Sequence, residues 1–304
     1  MPEVLQHTKR FQKSIQELER VDADVIGLNE VTQCFLGMLS EEAWVRNNYM
    51  LSTVCGGEDL GNTAVARKFG NVLLSRVPFA SLRHFEMASG REAVAAIVHT
   101  SHDGLQNRTL VTSVHLIAFP TQVAQRASEL ESLTSRLAIV DEWDLAVVLG
   151  DFNFHFETES SSIPDGWTEL PAAQGKYTWD MAANPMIRHY LPKVWWGIGW
   201  SLLWPVQMRL DRIIVASRNR GSHVDLHASS VKLFADVPVH EGPVREATEP
   251  IGILMKLIGF GPALVQHVLS HRRQSWEDYL FPSDHFGLFT DLALISETTV
   301  GARM

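Results

Sequence analysis

Short apolar runs that end in acidic, amide or imidazole side chains recur along this chain and constrain its fold. In VVLGDFNFH, residues 147–155, an apolar run leads through Gly150 to Asp151 and Asn153. Side chains alternate between the two faces of a strand, so Asp151 and Asn153 can point the same way. A glycine at such a point lets the backbone turn or a ligand approach. For this stretch alone, the alternative is a strand followed by an ordinary Asp/Asn turn.

Apolar runs of strand length alternate with helical patterns. The strand-like runs cover residues 23–31, 70–79, 92–100, 109–119, 145–153, 209–217 and 285–294. Residues 11–21 and 122–143 instead have helical spacing, and Leu130, Leu133 and Leu137 share one face of the second helix. This order predicts a layered α/β sandwich. No linker-like stretch divides the chain, so we expect one domain over residues 1–304.

Bulk properties exclude several classes of protein. A net charge of −9 argues against a protein that coats nucleic acid, although an enzyme with a local basic groove remains open. Two cysteines, Cys34 and Cys55, provide no disulfide framework and favour a reducing compartment. The first 15 residues lack the apolar core of a signal peptide, and no run reaches the roughly 18 apolar residues that span a bilayer. We therefore expect an intracellular protein of the nucleus or cytoplasm.

Two stretches are unusually apolar and are predicted to be insertions, near residues 191–206 and 250–270. Residues 194–206, VWWGIGWSLLWPV, contain four tryptophans, and residues 250–269 are interrupted by Lys256 and several glycines. Such a segment can be a core-packing insertion or an interfacial patch that contacts lipid or a protein partner. The oligomeric state is left open by the sequence.

Chemically versatile side chains collect where the predicted strands begin or end. Taken singly, an acid at a strand end is usually a cap or a turn, and a lone histidine is usually a hydrogen-bonded core residue. Together they predict one polar edge of a sheet, formed by Glu30, His115, Asp151, Asn153, Asp211, Asp284 and His285. Oxygen ligands of this kind suit Mg²⁺. Cys/His spacing typical of zinc sites and glycine-rich phosphate loops are both missing from the sequence.

Seven motifs in sequence order resemble the endonuclease/exonuclease/phosphatase (DNase I-like) superfamily. They are DADVIGLNEV, GNVLLSRVPF, GREAVAAIV, SVHL, GDFN, RLDRI and PSDHFGL, and the resemblance covers about residues 10–295. YTWDMAANPM, residues 177–186, followed by RLDRI, resembles the tyrosyl-DNA phosphodiesterase 2 branch, which removes tyrosine from the 5′ phosphate of DNA. The resemblance implies a four-layer α/β/β/α sandwich of two packed mixed sheets.

The resemblance also implies roles at the metal and at the attacking water. Glu30 would coordinate Mg²⁺, with Mn²⁺ as an alternative, and Asp284 would support the metal or its waters. Asp151 would orient and activate the attacking water, and Asn153 would hold that water or the phosphate. Bound metal would polarise a phosphate oxygen and stabilise charge on the leaving group.

The remaining implied roles concern the transition state and the substrate. Asp211 would pair with His285 and favour its protonated form, which could stabilise the transition state. His115 would be a second phosphate contact. Trp179 would offer an aromatic wall to a base or sugar, and His155 stands where the branch places an arginine that contacts DNA phosphate.

This chain departs from the family pattern at several positions. The family has an Asn at the end of a first strand, whereas the first Asn here is Asn29. We therefore expect either that the sequence is incomplete at its N-terminus or that this strand and its carboxamide are absent. The metal-site motif is LNE in place of LQE. Besides His155, Ile117 and Ala118 stand where the tyrosyl-DNA branch has small hydroxyl residues.

The leading hypothesis is therefore a Mg²⁺-dependent phosphodiesterase that acts on DNA ends, most like a 5′-tyrosyl-DNA phosphodiesterase in DNA repair. One alternative is a lipid phosphodiesterase of the sphingomyelinase type, which the two apolar stretches favour. Another is a pseudoenzyme that keeps the fold for binding, which the missing upstream Asn favours and the intact acidic and imidazole residues disfavour.

Overall fold

A computed structural model describes most of the chain. The described residues are 7–53, 70–102, 105–140, 143–170, 177–180, 183–184, 207–218, 222–225, 231–235, 283, 285 and 287–296. Both predicted apolar insertions, near 191–206 and 250–270, lie outside these residues. None of the helices in this described part is long and apolar enough to cross a membrane.

The chain divides into two compact units. The smaller comprises Met1–Glu17, Trp179–Gln207 and Phe234–Phe286. The larger comprises Leu18–Thr178, Met208–Leu233 and Gly287–Met304. The expectation of a single domain stays a prediction.

Helices and strands follow the predicted alternation. The α-helices are α1 His7–Val21, α2 Gln33–Glu41, α3 Ala43–Asn48 and α4 Val123–Ile139, and Pro120–Gln122 and Glu157–Ser162 are 3₁₀ turns. The strands are β1 Val25–Val31, β2 Met50–Leu51, β3 Gly70–Ser75, β4 Phe79–Glu86, β5 Glu92–His102, β6 Leu105–His115, β7 Leu145–Asp151, β8 Thr168–Glu169, β9 Trp179–Asp180, β10 Gln207–Met208, β11 Asp211–Ser217, β12 Ser222–Asp225, β13 Lys232–Phe234, β14 Gly287–Phe289 and β15 Ala293–Ser296.

Two sheets form the framework of the larger unit. The first has six strands in the order β4-β5-β6-β7-β11-β8, and the second has three in the order β1-β3-β2. In the six-stranded sheet β6 and β7 are parallel, whereas β7 and β11 are antiparallel, so this sheet is mixed. The parallel pair is connected through α4, as a crossover requires.

The core lies on both faces of the six-stranded sheet. On one face, Leu130, Leu133 and Leu137 of α4 pack with residues such as Leu110 and Val148. On the other, Leu73 of the three-stranded sheet packs with a second cluster, Val94, Ala96, Val98 and Val111. These three layers confirm the predicted α/β class, and the fourth, outer helical layer stays a prediction.

Candidate active site

Three predicted site residues lie at one edge of the six-stranded sheet. His115 and Asp151 end the parallel strands β6 and β7, and they are partners in the strand register. Asp211 begins the antiparallel strand β11 and is also a register partner of Asp151. Parallel strands bring their carboxyl ends to the same edge, and an antiparallel neighbour brings its first residue there. The topology therefore places Asp151 between His115 and Asp211.

His115 lies between two carboxylates. Its buried ring has Nε2 3.4 Å from Oδ2 of Asp151 and Nδ1 4.0 Å from Oε1 of Glu30. These separations are longer than a strong hydrogen bond but close enough for a charge on the ring to act on both acids. His115 thus links the acid at the end of β7 to the acid in β1, across the two sheets.

Asn153 orients the carboxylate of Asp151. Its backbone N–H donates to Oδ1 of Asp151 at 2.8 Å, and its Nδ2 donates to Oδ2 at 3.1 Å and to the carbonyl oxygen of Leu116 at 3.0 Å. Asn153 adopts a left-handed backbone, φ 52°, which asparagine tolerates better than most residues. The Asp-Phe-Asn segment therefore folds back on itself. The predicted contact of Asn153 with water or phosphate stays a prediction.

A glycine is required at position 150 because the backbone of Val114 and the side chain of Asn29 approach it closely. Its φ of 135° is strained for any side chain, and a Cβ there would collide with the carbonyl oxygen of Val114 and crowd the carboxamide of Asn29. The glycine before Asp151 thus lets the neighbouring backbone and the Asn29 side chain reach β7.

Asn29 fastens both sheets to Asp151, a role that the sequence interpretation missed. Its Oδ1 accepts the backbone N–H of Asp151 at 3.0 Å. Its Nδ2 lies 2.8 Å from Oδ1 of Asn71, 2.9 Å from the carbonyl oxygen of Val114 and 3.2 Å from Oγ of Ser113. These residues lie on β1, β3, β6 and β7. The available signal was an amide side chain directly after the apolar stretch VIGL and another directly before the apolar stretch VLL.

Glu30 is an exposed acid beside this edge, on β1 of the three-stranded sheet. Its side chain is 65% exposed, and its backbone is left-handed, φ 54°. The register of β1 against β3 shifts between Leu28 and Val31, so the strand is irregular where Glu30 lies. A bulge of this kind re-aims a side chain. It lets Asn29 face inward while the Glu30 side chain stays exposed.

Thr178 secures the start of β11. Its buried Oγ1 accepts the backbone N–H groups of Leu210 and Asp211 at 3.1 and 3.0 Å. Phe152 donates its backbone N–H to the carbonyl oxygen of Leu210 at 2.9 Å, which joins this turn to the residue after Asp151. The threonine of the YTWD motif is therefore structural, a role that sequence reasoning did not assign.

Three of the predicted site residues, Trp179, Asp284 and His285, belong to the smaller unit. His285 is half-buried, and its backbone N–H donates to Oγ of Ser283 at 3.2 Å. Trp179 is half-buried in β9. Asp284 lies outside the described residues. The Asp211–His285 pair and the stacking role of Trp179 stay predictions.

His155 lies among buried charges. Burial lowers the pKa of His155 to about 4, helped by the Arg126 guanidinium and opposed by the Glu159 carboxylate. The ring is therefore neutral at pH 7, and its Nε2 is buried. A neutral ring offers no positive charge to a phosphate, so this placement favours a structural role, and the predicted DNA contact of His155 stays a prediction.

A buried ion pair, here called the loop anchor, lies beside His155. Nε of Arg126 donates to Oε2 of Glu159 at 2.8 Å, and both side chains are almost fully buried. Nη1 of Arg126 also donates to the carbonyl oxygens of Ile117 and Phe119, at 3.3 and 2.6 Å. Oε1 of Glu159 accepts the backbone N–H of Phe156 at 3.1 Å. The loop anchor thus holds the segments that follow β6 and β7.

Comparison with known proteins identifies the fold. The model of the endonuclease/exonuclease/phosphatase family matches residues 8–285. A humanised D. rerio TDP2 carrying 14 mutations superimposes with a TM-score of 0.60 at 16% identity, covering 94% of this chain and 92% of that one. D. rerio TDP2 complexed with a single-strand DNA product gives 0.59 at 16% identity, covering 95% and 93%. The human Nocturnin catalytic domain with bound sulfate gives 0.52 at 13% identity, covering 95% and 87%. Among curated proteins, none matches the sequence.

Proposed function

Because the chain belongs to the endonuclease/exonuclease/phosphatase family, whose members are generally hydrolases of phosphate esters, we propose that it is a metal-dependent phosphodiesterase acting on DNA ends. The substrate we propose is a 5′-tyrosyl-DNA phosphodiester. The observation that most strongly supports phosphodiesterase chemistry is the position of the Asp151 carboxylate. Asn153 and Asn29 hold Asp151 in one orientation, and His115 lies beside it.

Asp151 is the proposed general base. Oδ1 and Oδ2 each accept one hydrogen bond from Asn153, and each carboxylate oxygen has more than one acceptor site, so the group can still accept a proton from water. Fixed orientation favours proton transfer because the base must lie within hydrogen-bond reach of the attacking water. His115, between Asp151 and Glu30, is the proposed phosphate contact. We also propose that Asp211 orients His285 for charge stabilisation, as the family resemblance implies.

The donor set fits a hard divalent cation. Glu30 presents an exposed carboxylate on a bulged backbone, and oxygen ligands with open positions for water and phosphate are what Mg²⁺ prefers. Glu30 would hold the metal, with Asp284 as its proposed support. When bound, such a cation supplies positive charge to phosphate oxygens. Mn²⁺ has similar ligand preferences and is the alternative.

Two observations favour a DNA end as substrate. The superpositions on TDP2, one of them complexed with a single-strand DNA product, have higher TM-scores than that on Nocturnin. The YTWD and RLDRI motifs also belong to the tyrosyl-DNA pattern, and Thr178 of the first motif supports Asp211 of the second. The apolar stretches at 194–206 and 250–269 favour the second candidate, a sphingomyelinase-type enzyme.

Separate assays on two substrates test the proposal. Purified protein is incubated with a 5′-phosphotyrosyl oligonucleotide or with sphingomyelin vesicles, each with Mg²⁺, with Mn²⁺ or with EDTA. We expect metal-dependent release of tyrosine, lost with EDTA and in Asp151→Asn. Release of phosphocholine instead would establish the lipid alternative. No turnover of either substrate by the wild type would reject both assignments.

A further inference from the structure

Two exposed aromatic rings lie on loops that leave the proposed catalytic edge, a name used here for His115, Asp151 and Asp211 at the strand ends together with Glu30 beside them. Phe119 follows β6 and is 54% exposed, and Phe156 follows β7 and is 51% exposed. Each is within four residues of a site residue, His115 for the first and Asn153 for the second. Single exposed apolar residues are common on protein surfaces, so exposure alone assigns nothing. Their attachment to the site is more informative.

Phe156 breaks an aromatic pattern that otherwise fills the core. In FNFHF, Phe152 and Phe154 are 0% and 1% exposed, and their rings contact edge to face at 5.5 Å between centroids. Strand-like alternation would send Phe156 to the same face. The chain instead turns into the 3₁₀ segment that starts at Glu157, and the third ring meets solvent. Phe156 is therefore not needed to fill the core.

The two loops begin side by side at Asp151. Leu116 donates its backbone N–H to the carbonyl oxygen of Asp151 at 2.9 Å, and its own carbonyl oxygen accepts Nδ2 of Asn153 at 3.0 Å. Phe119 lies three residues after Leu116, and Phe156 lies three residues after Asn153. Both rings are thus carried on short segments that start at the same hydrogen-bonded point.

The loop anchor holds the backbone of both phenylalanines. Arg126 binds the carbonyl oxygen of Phe119, and Glu159, its ion-pair partner, binds the backbone N–H of Phe156. Phe119 has φ 76° and ψ 136°, a conformation that bulky residues rarely adopt. Such strain persists only where surrounding contacts enforce it. The anchor therefore fixes the backbone that carries the two exposed rings, and a loop that is already ordered loses less entropy on binding.

We propose that Phe119 and Phe156 form a base-stacking subsite for the single-stranded part of a nucleic acid substrate. This inference rests on the proposed function and extends it to substrate recognition. Stacking on aromatic faces contributes affinity without reading sequence, which suits an enzyme that acts on ends of any sequence. In an acidic chain with net charge −9, such contacts would supply affinity that broad phosphate neutralisation cannot.

The residues next to Phe119 and Phe156 disfavour a membrane surface as the ligand of these rings. Interfacial segments combine a broad apolar face with basic residues. Here Phe156 is followed by Glu157, whose carboxylate is 67% exposed, and Phe119 is followed by Pro120 and Thr121. Two separate rings on different loops fit individual bases better than they fit a lipid surface, which requires a broad apolar face.

Binding measurements test the subsite without requiring turnover. The full chain carrying Asp151→Asn is titrated with two single-stranded, 5′-phosphotyrosyl oligonucleotides. One carries normal bases, and the other has abasic residues at its first four positions. Phe119→Leu and Phe156→Leu remove the aromatic faces but keep apolar volume. Phe119→Tyr and Phe156→Tyr keep the aromatic faces. Ile139→Ala, which alters an exposed residue at the end of α4, is the control.

We expect each Leu variant to weaken binding of the normal oligonucleotide about fivefold or more, with the Tyr variants and the control within about twofold of the parent. The abasic oligonucleotide should bind the parent and the Leu variants equally, because the stacking partner is gone. If the Leu variants lose affinity only for the oligonucleotide with bases but the wild type releases no tyrosine, the proposed substrate is wrong and the stacking subsite is still supported.

The inference is overturned if the Leu variants bind the normal oligonucleotide as the parent does, or if they lose as much affinity for the abasic one. Failure of the parent to bind either oligonucleotide also overturns it. Phenylalanine-dependent binding to phosphatidylcholine–sphingomyelin vesicles, with no effect on the oligonucleotides, would assign the rings to a membrane instead.

Discussion

Two polar networks lie at the ends of the same strands, and they differ in whether their acids remain accessible. In the catalytic edge, the Glu30 side chain is 65% exposed and that of Asp151 is 11% exposed. In the loop anchor, the side chains of Arg126 and Glu159 are 0% and 2% exposed. Both networks cross between segments distant in sequence, but the anchor is closed to water and the catalytic edge is open.

This difference supports the proposal that the chemistry takes place at the edge that carries Asp151. A buried pair whose charges compensate each other has little capacity left for a ligand, and its role is to fix loops. An acid that is oriented but still reachable can bind a cation or accept a proton. The contrast predicts that variants of the catalytic edge lose turnover while keeping stability, and that variants of the anchor do the reverse. The predictions below are ordered by their expected effect on turnover.

The first prediction concerns Glu30→Gln. We expect turnover at low Mg²⁺ to fall about 100-fold and the metal titration to shift to higher concentration, because a neutral amide is a poorer ligand for a hard cation. Activity is measured against Mg²⁺ concentration. Glu41→Gln, at an acid with an 80% exposed side chain at the end of α2, is the control. Superimposable metal titrations of wild type and Glu30→Gln would remove Glu30 from the metal site.

The second prediction concerns Asn29→Asp, which keeps the shape of the side chain but loses its two amide hydrogens. The carboxylate would face the carbonyl oxygen of Val114 and Oδ1 of Asn71, so Asp151 should shift. We expect kcat to fall roughly tenfold or more with KM nearly unchanged, because displacement of a catalytic group slows the chemical step. Asn48→Asp, at the exposed end of α3, is the control.

Measuring kcat, KM and the unfolding midpoint of Asn29→Asp on one preparation separates positioning from stability. A fully folded variant with wild-type kcat would show that Asn29 does not position Asp151 for catalysis.

The third prediction tests the anchor through Arg126→Met. Removing one partner of a buried ion pair should lower the free energy of unfolding by about 3–5 kcal/mol. Hydrolysis of a phosphodiester without bases should change less than about threefold at a temperature where the variant is folded. Adding Glu159→Leu should recover part of the stability, since no uncompensated charge is left buried. Urea unfolding at pH 7 measures these changes, with Arg46→Met at an exposed pair as the control.

A large loss of turnover in folded Arg126→Met, with little loss of stability, would reverse the assignment of the two networks.

The smallest expected effect concerns His155. Its pKa of about 4 lies below the ordinary value of 6.5, so between these pH values the unfolded chain binds a proton that the folded chain does not. Stability should therefore fall as the pH decreases from 6.5 toward 4. We expect His155→Gln to flatten this dependence without changing turnover at pH 7. Melting temperatures between pH 4 and 7.5 measure it, with exposed His99→Gln as the control.

An unchanged pH slope in His155→Gln would mean that His155 titrates alike in the folded and unfolded chains.

The position of many strands along the chain and the chemistry at their ends could be predicted from the sequence. Apolar runs ending in acids indicated that Asp151, His115 and Asp211 would meet, and the pairing of β6, β7 and β11 brings them together. The amphipathic pattern of α4 likewise predicted the helix that covers the sheet, although the pattern extends to residue 143 and the helix ends at Ile139. Local periodicity was sufficient to identify α4 and each strand with its terminal residue, and the shared edge followed because such strands pack side by side in one sheet.

The supporting contacts could not be predicted in the same way. Asn29 lies 42 residues from Asn71 and 122 residues from Asp151 along the chain, and Arg126 lies 33 from Glu159. No local pattern specifies which polar side chain will pair over such separations. The bulge at Glu30 is a further example, because the run VIGLNEV reads as a regular strand. The sequence therefore indicated the acids of the site but not the residues that position them.

The most direct test compares the two aspartates that flank β7. Asp151 ends the strand at the catalytic edge, whereas Asp144 precedes it and accepts the backbone N–H of Arg108 at 2.8 Å. Metal-dependent phosphodiester hydrolysis and the unfolding midpoint are measured for Asp151→Asn and Asp144→Asn beside the wild type. The proposed mechanism predicts that Asp151→Asn stays folded and loses about 1,000-fold in turnover, while Asp144→Asn keeps wild-type turnover. A folded Asp151→Asn with near-wild-type turnover would contradict it.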